Sequence, residues 1–274
     1  MRGEMMKKNR TRLFIGAGRM SEAILSGLIT SGEERASIVV SNRRDKEKLS
    51  KLAERYGVRA TQDAVAEAKH ADTIVLCSPP DQVSDVLARL APVLRGQLVM
   101  SVAAGIDVTY MKKRMPDKTP AAWIMPNTGA MIASSISPFT VSEDIGDGEF
   151  AEVERIVKSI GDGYRTTEDQ VHALTAVTGS APAFFYLYYE AMVKCASEAG
   201  VSNEDAAFLV KTMMKGSLAM LSEGYDAESL IDQVASPGGS TREGLNVLED
   251  HDLEGLIKKA VKAANDHARA NALS

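Results

Sequence analysis

The first 160 or so residues alternate short β-branched apolar runs with stretches whose apolar residues recur at helical spacing, the rhythm of βαβ units and a mainly parallel sheet. The pattern predicts strands at Thr11–Ile15, Ser37–Ser41, Thr73–Cys77, Gln97–Val102, Ala122–Met125 and Phe139–Ser142. Helices are expected near Met20–Ser31, Asp45–Tyr56, Asp63–Lys69, Asp81–Leu90 and Asp107–Met115. After about Gly161 the apolar positions keep the helical period and strand-like runs nearly vanish. The expected fold is an α/β doubly wound domain over 1–163 and an all-α domain over 164–274, with the boundary near Gly161–Tyr164.

The second half carries helix punctuation. Thr167 with Gln170 reads as a capping box, Ser180 before Pro182 suits a first helical turn, and Gly200 closes the run Ala183–Ala199. Further helices follow near Asn203–Glu223, Ala227–Val234 and Thr241–Asp250, and from Leu253 onward. The stripes Phe184, Phe185, Tyr188, Met192 and Leu209, Val210, Met213, Met214, Leu218, Leu221 exceed what a bundle of about 110 residues hides on its own. A dimer seam is therefore expected there.

Composition narrows the setting. With 45% hydrophobic and 25% charged residues in 274, the chain is globular, and no run reaches the roughly 18 apolar residues that cross a bilayer. Met1 to Arg12 is basic without the apolar core of a signal peptide, so a cytoplasmic protein with no membrane partner is expected. Cys77 and Cys195 are too few for a disulfide framework or a thiolate metal site, and Cys195 reads as core. The histidines at 70, 172, 251 and 267 show no metal spacing, so no metal is expected; His172 reads as a buried histidine or a dimer contact. A net charge of −5 argues against nucleic acid.

Candidate chemistry begins directly after the first strand. Gly16-Ala17-Gly18-Arg19-Met20-Ser21 opens a helix, so a glycine turn and a helix N-terminus are placed to take a dinucleotide pyrophosphate. The second strand ends in Ser41-Asn42-Arg43-Arg44, where a carboxylate would favour NAD(H) and arginine favours a 2′-phosphate. NADPH is the expected cofactor, with NADH as the alternative. Ser78 and Pro79, Ala103 and Ala104, and Asn127 lie in loops after later strands and are expected to line the same crevice.

At the other end of the chain, Ser236-Pro237-Gly238-Gly239-Ser240-Thr241-Arg242-Glu243 reads as a glycine turn into a helix capped by Ser240 with Glu243. Either a plain capped helix or an anion site with Thr241 at the first helical position follows. Together with Ala103-Ala104-Gly105, Met125-Pro126-Asn127-Thr128, Thr178-Gly179-Ser180-Ala181-Pro182-Ala183 and the opening glycine turn, this segment resembles the pyrroline-5-carboxylate reductase family over nearly the whole chain.

The resemblance implies a Rossmann-type domain followed by a helical dimerisation domain, in dimers that are often gathered into larger rings. It implies NADPH-dependent reduction of the cyclic imine 1-pyrroline-5-carboxylate to L-proline, the last step of proline biosynthesis. Ser236, Gly238, Gly239, Ser240 and Thr241 would bind the substrate carboxylate, the Thr241 hydroxyl would serve the imine nitrogen as the catalytic group, and Glu223 approximates a nearby carboxylate. Three positions depart from the family pattern: Ser21 for a glycine, Pro79 for a lysine and Trp123 for an arginine, the last a ring that must be packed or stacked. Those departures keep two alternatives open. One is a related NADP-dependent oxidoreductase acting on another imine or a β-hydroxy acid, which would want a base such as Lys194, Lys211 or His172; the other is a non-catalytic paralogue that retains the dinucleotide.

Overall fold

The computed structural model describes residues 10–272; most of the basic start, on which the expectation about export rests, lies outside them. Eight strands among these residues form one sheet: β1 (Arg12–Ile15), β2 (Ile38–Ser41), β3 (Arg59–Thr61), β4 (Thr73–Leu76), β5 (Leu98–Ser101), β6 (Ala121–Ile124), β7 (Ser135–Val141) and β8 (Gly161–Arg165). Their spatial order is β3-β2-β1-β4-β5-β6-β7-β8. Every neighbouring pair is parallel except β6 with β7. Helices α1 (Arg19–Thr30), α2 (Lys46–Tyr56), α3 (Ala64–Ala68), α4 (Pro80–Leu90), α5 (Val108–Lys112) and α6 (Asp147–Ile160) cover the two faces.

Alternate residues of a strand point to opposite faces, and both faces are dry. Phe14 and Val40 pack with Ile24 and Leu28 of α1 and Val153 and Ile156 of α6. Leu13, Ile74 and Val99 pack on the other side with Val83 and Leu87 of α4. Beneath the start of β1, buried Arg12 places Nε 2.5 Å and Nη2 3.1 Å from the Glu152 carboxylate, and Nη1 2.9 Å from Glu33. That buried fork ties α6 to the sheet.

The strands and helices differ from the expected pattern in four places. β3 and β8 are additional, and α6 is a helix that the pattern does not include among its predictions. β7 starts at Ser135 rather than Phe139 and runs through Pro138, whose carbonyl accepts the Met125 N–H at 2.9 Å although the proline has none to donate.

The second half is helical: α7 (Glu168–Thr175), α8 (Ala181–Glu198), α9 (Asn203–Ser222), α10 (Ala227–Val234), α11 (Ser240–Asp250) and α12 (Leu253–Ala272). The capping box at Thr167 is half formed. Thr167 accepts the Gln170 N–H, but the Gln170 side chain bonds the Thr166 hydroxyl instead of reaching back. No helix starts afresh at Ser180, because a π-helical turn, Ala176–Ser180, fills the interval between α7 and α8. Pro182 has no N–H for the Thr178 carbonyl one turn earlier, so the backbone widens there and frees that oxygen.

The described chain forms two compact units, residues 10–179 with 264–272, and residues 180–263. The seam therefore lies beyond the expected 163/164 boundary, since β8 belongs to the sheet and α7 packs on β7. In the second unit α8 has no buried residue, and Leu187 is 72% exposed; Phe208 and Leu218 of α9 are also exposed. Cys195, expected in the core, is likewise exposed, because nothing among the described residues covers that face of α8. No helix among the described residues is long and apolar enough to cross a membrane.

Candidate active site

The sheet order reverses between β1 and β4, and a crevice of about 640 Å³ opens at the carboxyl ends of those strands. Its floor is the turn after β1. Gly16 holds φ at +116°, and a Cβ there would lie 2.7 Å from the Cys77 carbonyl oxygen, so only glycine fits. Its N–H donates to the Ser41 carbonyl at 2.8 Å, and the Ser78 hydroxyl donates to the Ile15 carbonyl at 3.2 Å. Gly18 caps α1 without any side-chain bond, and the place a Cβ would occupy has no atom within 4 Å. The first N–H groups of α1 thus face open space at the positive end of the helix.

Ser21, in place of the third glycine, is fully buried, as close packing of helix on sheet requires. Burial pushes the neighbouring Cys77 thiol up to about 12, a rise that the Ser21 hydroxyl only partly opposes.

The crevice mouth is built by a turn after β2. The Asn42 side-chain oxygen accepts the N–H groups of Arg44 and Asp45 at 3.0 and 3.1 Å, and Asp45 caps α2 by accepting the Lys48 N–H at 2.8 Å. Asn42 is therefore spent on shaping the turn. Arg43 and Arg44 are exposed along the mouth beside Lys48, and neither guanidinium pairs with a carboxylate among the described residues. Open helix N–H groups, unpaired cations and a volume typical of small-molecule sites fit a phosphorylated dinucleotide.

Every residue expected to bind the cofactor lines this crevice except Asn127: Gly16, Ala17, Gly18, Arg19, Met20, Ser41, Asn42, Arg43, Ser78, Pro79, Ala103 and Ala104 all do. Pro79 caps α4 and Pro80 opens it, so that corner carries a rigid apolar edge rather than a cation. Arg44, which the sequence reading placed beside Arg43, lines the crevice as well; Lys48, Gln62 and Arg89 do too and are additions to that reading, and the basic cluster after β2 is the signal that could have found Lys48.

Asn127 is a correction. Its Oδ1 accepts the Gly129 N–H at 2.8 Å, and its Nδ2 donates to the Thr178 carbonyl at 3.0 Å, the oxygen that Pro182 leaves free. Both ends of the amide are engaged within the fold.

Trp123, on β6, is buried, with its indole N–H donating to the Ala103 carbonyl at 2.9 Å and its ring centroid 4.5 Å from that of His172. His172 Nε2 lies 2.8 Å from Asp107 Oδ2, and Asp107 Oδ1 accepts the Tyr110 N–H as the cap of α5. Burial alone would raise the Asp107 carboxyl. The hydrogen bonds from His172 and Tyr110 and the charges of His172 and Lys113 outweigh it and hold the group below its usual value.

The loop Ser236–Thr241 is exposed except for partly covered Gly239. Gly238 holds φ at +72°, and the Gly239 N–H closes the turn on the Ser236 carbonyl at 2.9 Å. Gly239, not Ser240, is the cap of α11, and its carbonyl accepts from Arg242 and Glu243 at 3.1 and 3.3 Å. The box of Ser240 with Glu243 is therefore not formed, and Thr241 is the second helical residue rather than the first. The turn draws Ser236 Oγ to 2.7 Å from where a Gly239 Cβ would stand, so a larger residue at the cap would be crowded. The Ser240 and Thr241 N–H groups remain open donors at the helix start. Glu223 is the exposed C-cap of α9, and no hydrogen bond or ion pair joins it to this loop among the described residues.

Comparison with known proteins adds the following. Residues 168–271 match the family model described as pyrroline-5-carboxylate reductase dimerisation, and residues 13–105 match NADP oxidoreductase coenzyme F420-dependent. The chain is 35% identical to pyrroline-5-carboxylate reductase 2 of Bacillus subtilis (strain 168), over 89% of this chain and 88% of that one. The solved pyrroline-5-carboxylate reductase of Coxiella burnetii superposes with a TM-score of 0.85 at 30% identity, covering 96% of this chain and 99% of that one. The Plasmodium falciparum pyrroline carboxylate reductase, solved with NADP bound, shares the fold with a TM-score of 0.88 at 24% identity over 97% and 99% of the two chains.

Proposed function

The chain belongs to the pyrroline-5-carboxylate reductase family, and from that premise we propose that it reduces 1-pyrroline-5-carboxylate to L-proline with NADPH, as a cytoplasmic homodimer. What supports the reading is that one chain carries two candidate anion sites of different chemistry. One is the glycine turn and arginine mouth of the crevice; the other is the glycine loop at the start of α11.

The residues divide the work. The open N–H groups over Gly18–Met20 hold the pyrophosphate, and Arg43 with Arg44 holds the 2′-phosphate that distinguishes NADPH from NADH. Ala103 and Ala104 offer a flat backbone wall for the nicotinamide end. Bound NADPH supplies the hydride that goes to the carbon of the C=N bond, while the ring nitrogen gains a proton. The Ser240 and Thr241 N–H groups, with Gly238, Gly239 and Ser236 shaping the turn, grip the substrate carboxylate. The Thr241 hydroxyl donates a hydrogen bond to the nitrogen of the neutral imine and relays a proton to it from water as the hydride arrives, and exposed Glu223 approximates a nearby carboxylate. A hydroxyl is a weak acid, so most of the acceleration comes from holding the ring in near-attack geometry.

The homodimer is supported by the uncovered apolar residues of the second unit, Leu187, Phe208 and Leu218 among them. The test is direct. Purified protein with NADPH should lose absorbance at the nicotinamide band when the imine is added, and should sediment as a dimer. Tight NADPH binding with no imine-dependent oxidation would overturn the enzyme.

A further inference from the structure

The loop from Ala103 to Asp107 runs from the crevice wall to the cap of α5, and two side chains from distant parts of the first unit hold its ends. Trp123 takes the Ala103 carbonyl at 2.9 Å. His172 takes the Asp107 carboxylate at 2.8 Å. The two holders touch each other, ring against ring at 4.5 Å and tilted by 52°. Inside the loop, the Ser101 hydroxyl accepts the Ala103 N–H at 3.2 Å and the Ile106 N–H adds a second bond to the Ala103 carbonyl at 3.2 Å. The Ala103 backbone is thus fixed through both its polar groups.

We propose that Trp123 and His172 form a positioning pair that clamps the loop Ala103–Asp107, so that Ala103 and Ala104 remain a rigid wall for the nicotinamide end of the dinucleotide. The inference rests on the proposed reductase reading. Neither side chain lines the crevice; both act through the loop. A tryptophan suits the position because one residue supplies both a buried N–H aimed at a carbonyl and a broad face for His172 to lie on. Asp107 serves both sides at once, with one oxygen on His172 and the other on the N–H of Tyr110. Pyrophosphate and ribose phosphate are held elsewhere, by the turns at 16–20 and 42–45. Loosening the clamp therefore disturbs the orientation of the nicotinamide more than total affinity.

The test uses full-length Trp123→Phe, His172→Ala and His172→Gln. The first removes the N–H along with part of the ring face, the second frees Asp107, and the third restores an amide that can bond it. Expected for the first two is a kcat about tenfold lower with the Kd for NADPH within about twofold of the original. His172→Gln should recover most of the loss. Hydrogen exchange gives a readout independent of turnover: NADPH should protect the segments 16–21 and 101–110 in the original protein, and only 16–21 in Trp123→Phe. Unaltered protection of 101–110 in that variant overturns the clamp, as does a lowered melting temperature with unchanged kcat. If the original protein binds NADPH with both segments protected yet leaves the imine untouched, the reductase reading falls and the clamp stands.

Discussion

Arg43→Ala should separate the two nicotinamide dinucleotides. Arg43 stands exposed at the crevice mouth with no carboxylate partner among the described residues, on a turn that Asn42 shapes through its own side chain. A hydrogen bond to a charged group contributes about 1.5–3 kcal/mol, which corresponds to roughly 10- to 150-fold in affinity. Two facts place this case at the low end. The site is open to solvent, where salt screens within about 8 Å at physiological ionic strength, and Arg44 and Lys48 keep the mouth positive after the substitution. The expected result is NADPH binding weakened about tenfold, with NADH binding within about twofold of its starting value. Arg43→Ala with Arg44→Ala should bring the loss to about a hundredfold and flatten its salt dependence. Cofactor fluorescence titrations with both dinucleotides at two salt concentrations measure it. Parallel losses for NADH and NADPH would place Arg43 on a part common to both and refute the 2′-phosphate assignment.

Gly16→Ala forces a Cβ to 2.7 Å from the Cys77 carbonyl at a φ of +116°; the unfolding free energy should fall by at least about 2 kcal/mol in urea titrations, and stability equal to the original would contradict the packing argument. Thr241→Ala should lower kcat about a hundredfold and leave the Kd for NADPH unchanged, since the hydroxyl serves the reacting ring; equal damage to both would remove that role. Asp107→Asn keeps a cap for α5 but loses the ionised partner of His172, at a cost of about 1 kcal/mol at neutral pH. Because the folded carboxyl lies below its usual value, that contribution is present above about pH 3.9 and is lost as pH falls through the folded value. Denaturant midpoints of the two proteins should therefore converge in acid, and a gap independent of pH would argue against the ionic contact.

Much of the first unit is legible in the chain because its constraints are local. A strand covered on both faces reads as an unbroken apolar run, and the Gly16 position admits one residue type. The stripe Phe150, Val153, Ile156, Val157 and Ile160 carries the helical period, so α6 was open to the same reasoning. β8 was not. Gly161-Asp162-Gly163-Tyr164-Arg165 has little intrinsic preference for a strand and becomes one by pairing with β7.

The candidate site divides in the same way. A turn motif states which backbone groups are open, but not which side chains are already committed, and commitment depends on partners far away in the chain. Asn127 illustrates this: its amide reads as free to serve a ligand, but Pro182, 55 positions later, leaves the Thr178 carbonyl open to it. Ser240 illustrates it at short range, since the Ser236–Gly239 turn takes the capping position before its hydroxyl can. Trp123 is the converse. In the sequence it is a bulky substitution for a charged fork, but the fold supplies a carbonyl for its N–H and an imidazole for its face, both traceable to the loop that walls the crevice. Trp123 thus holds that neighbourhood through the loop, and this makes the loop rather than the tryptophan the thing to measure.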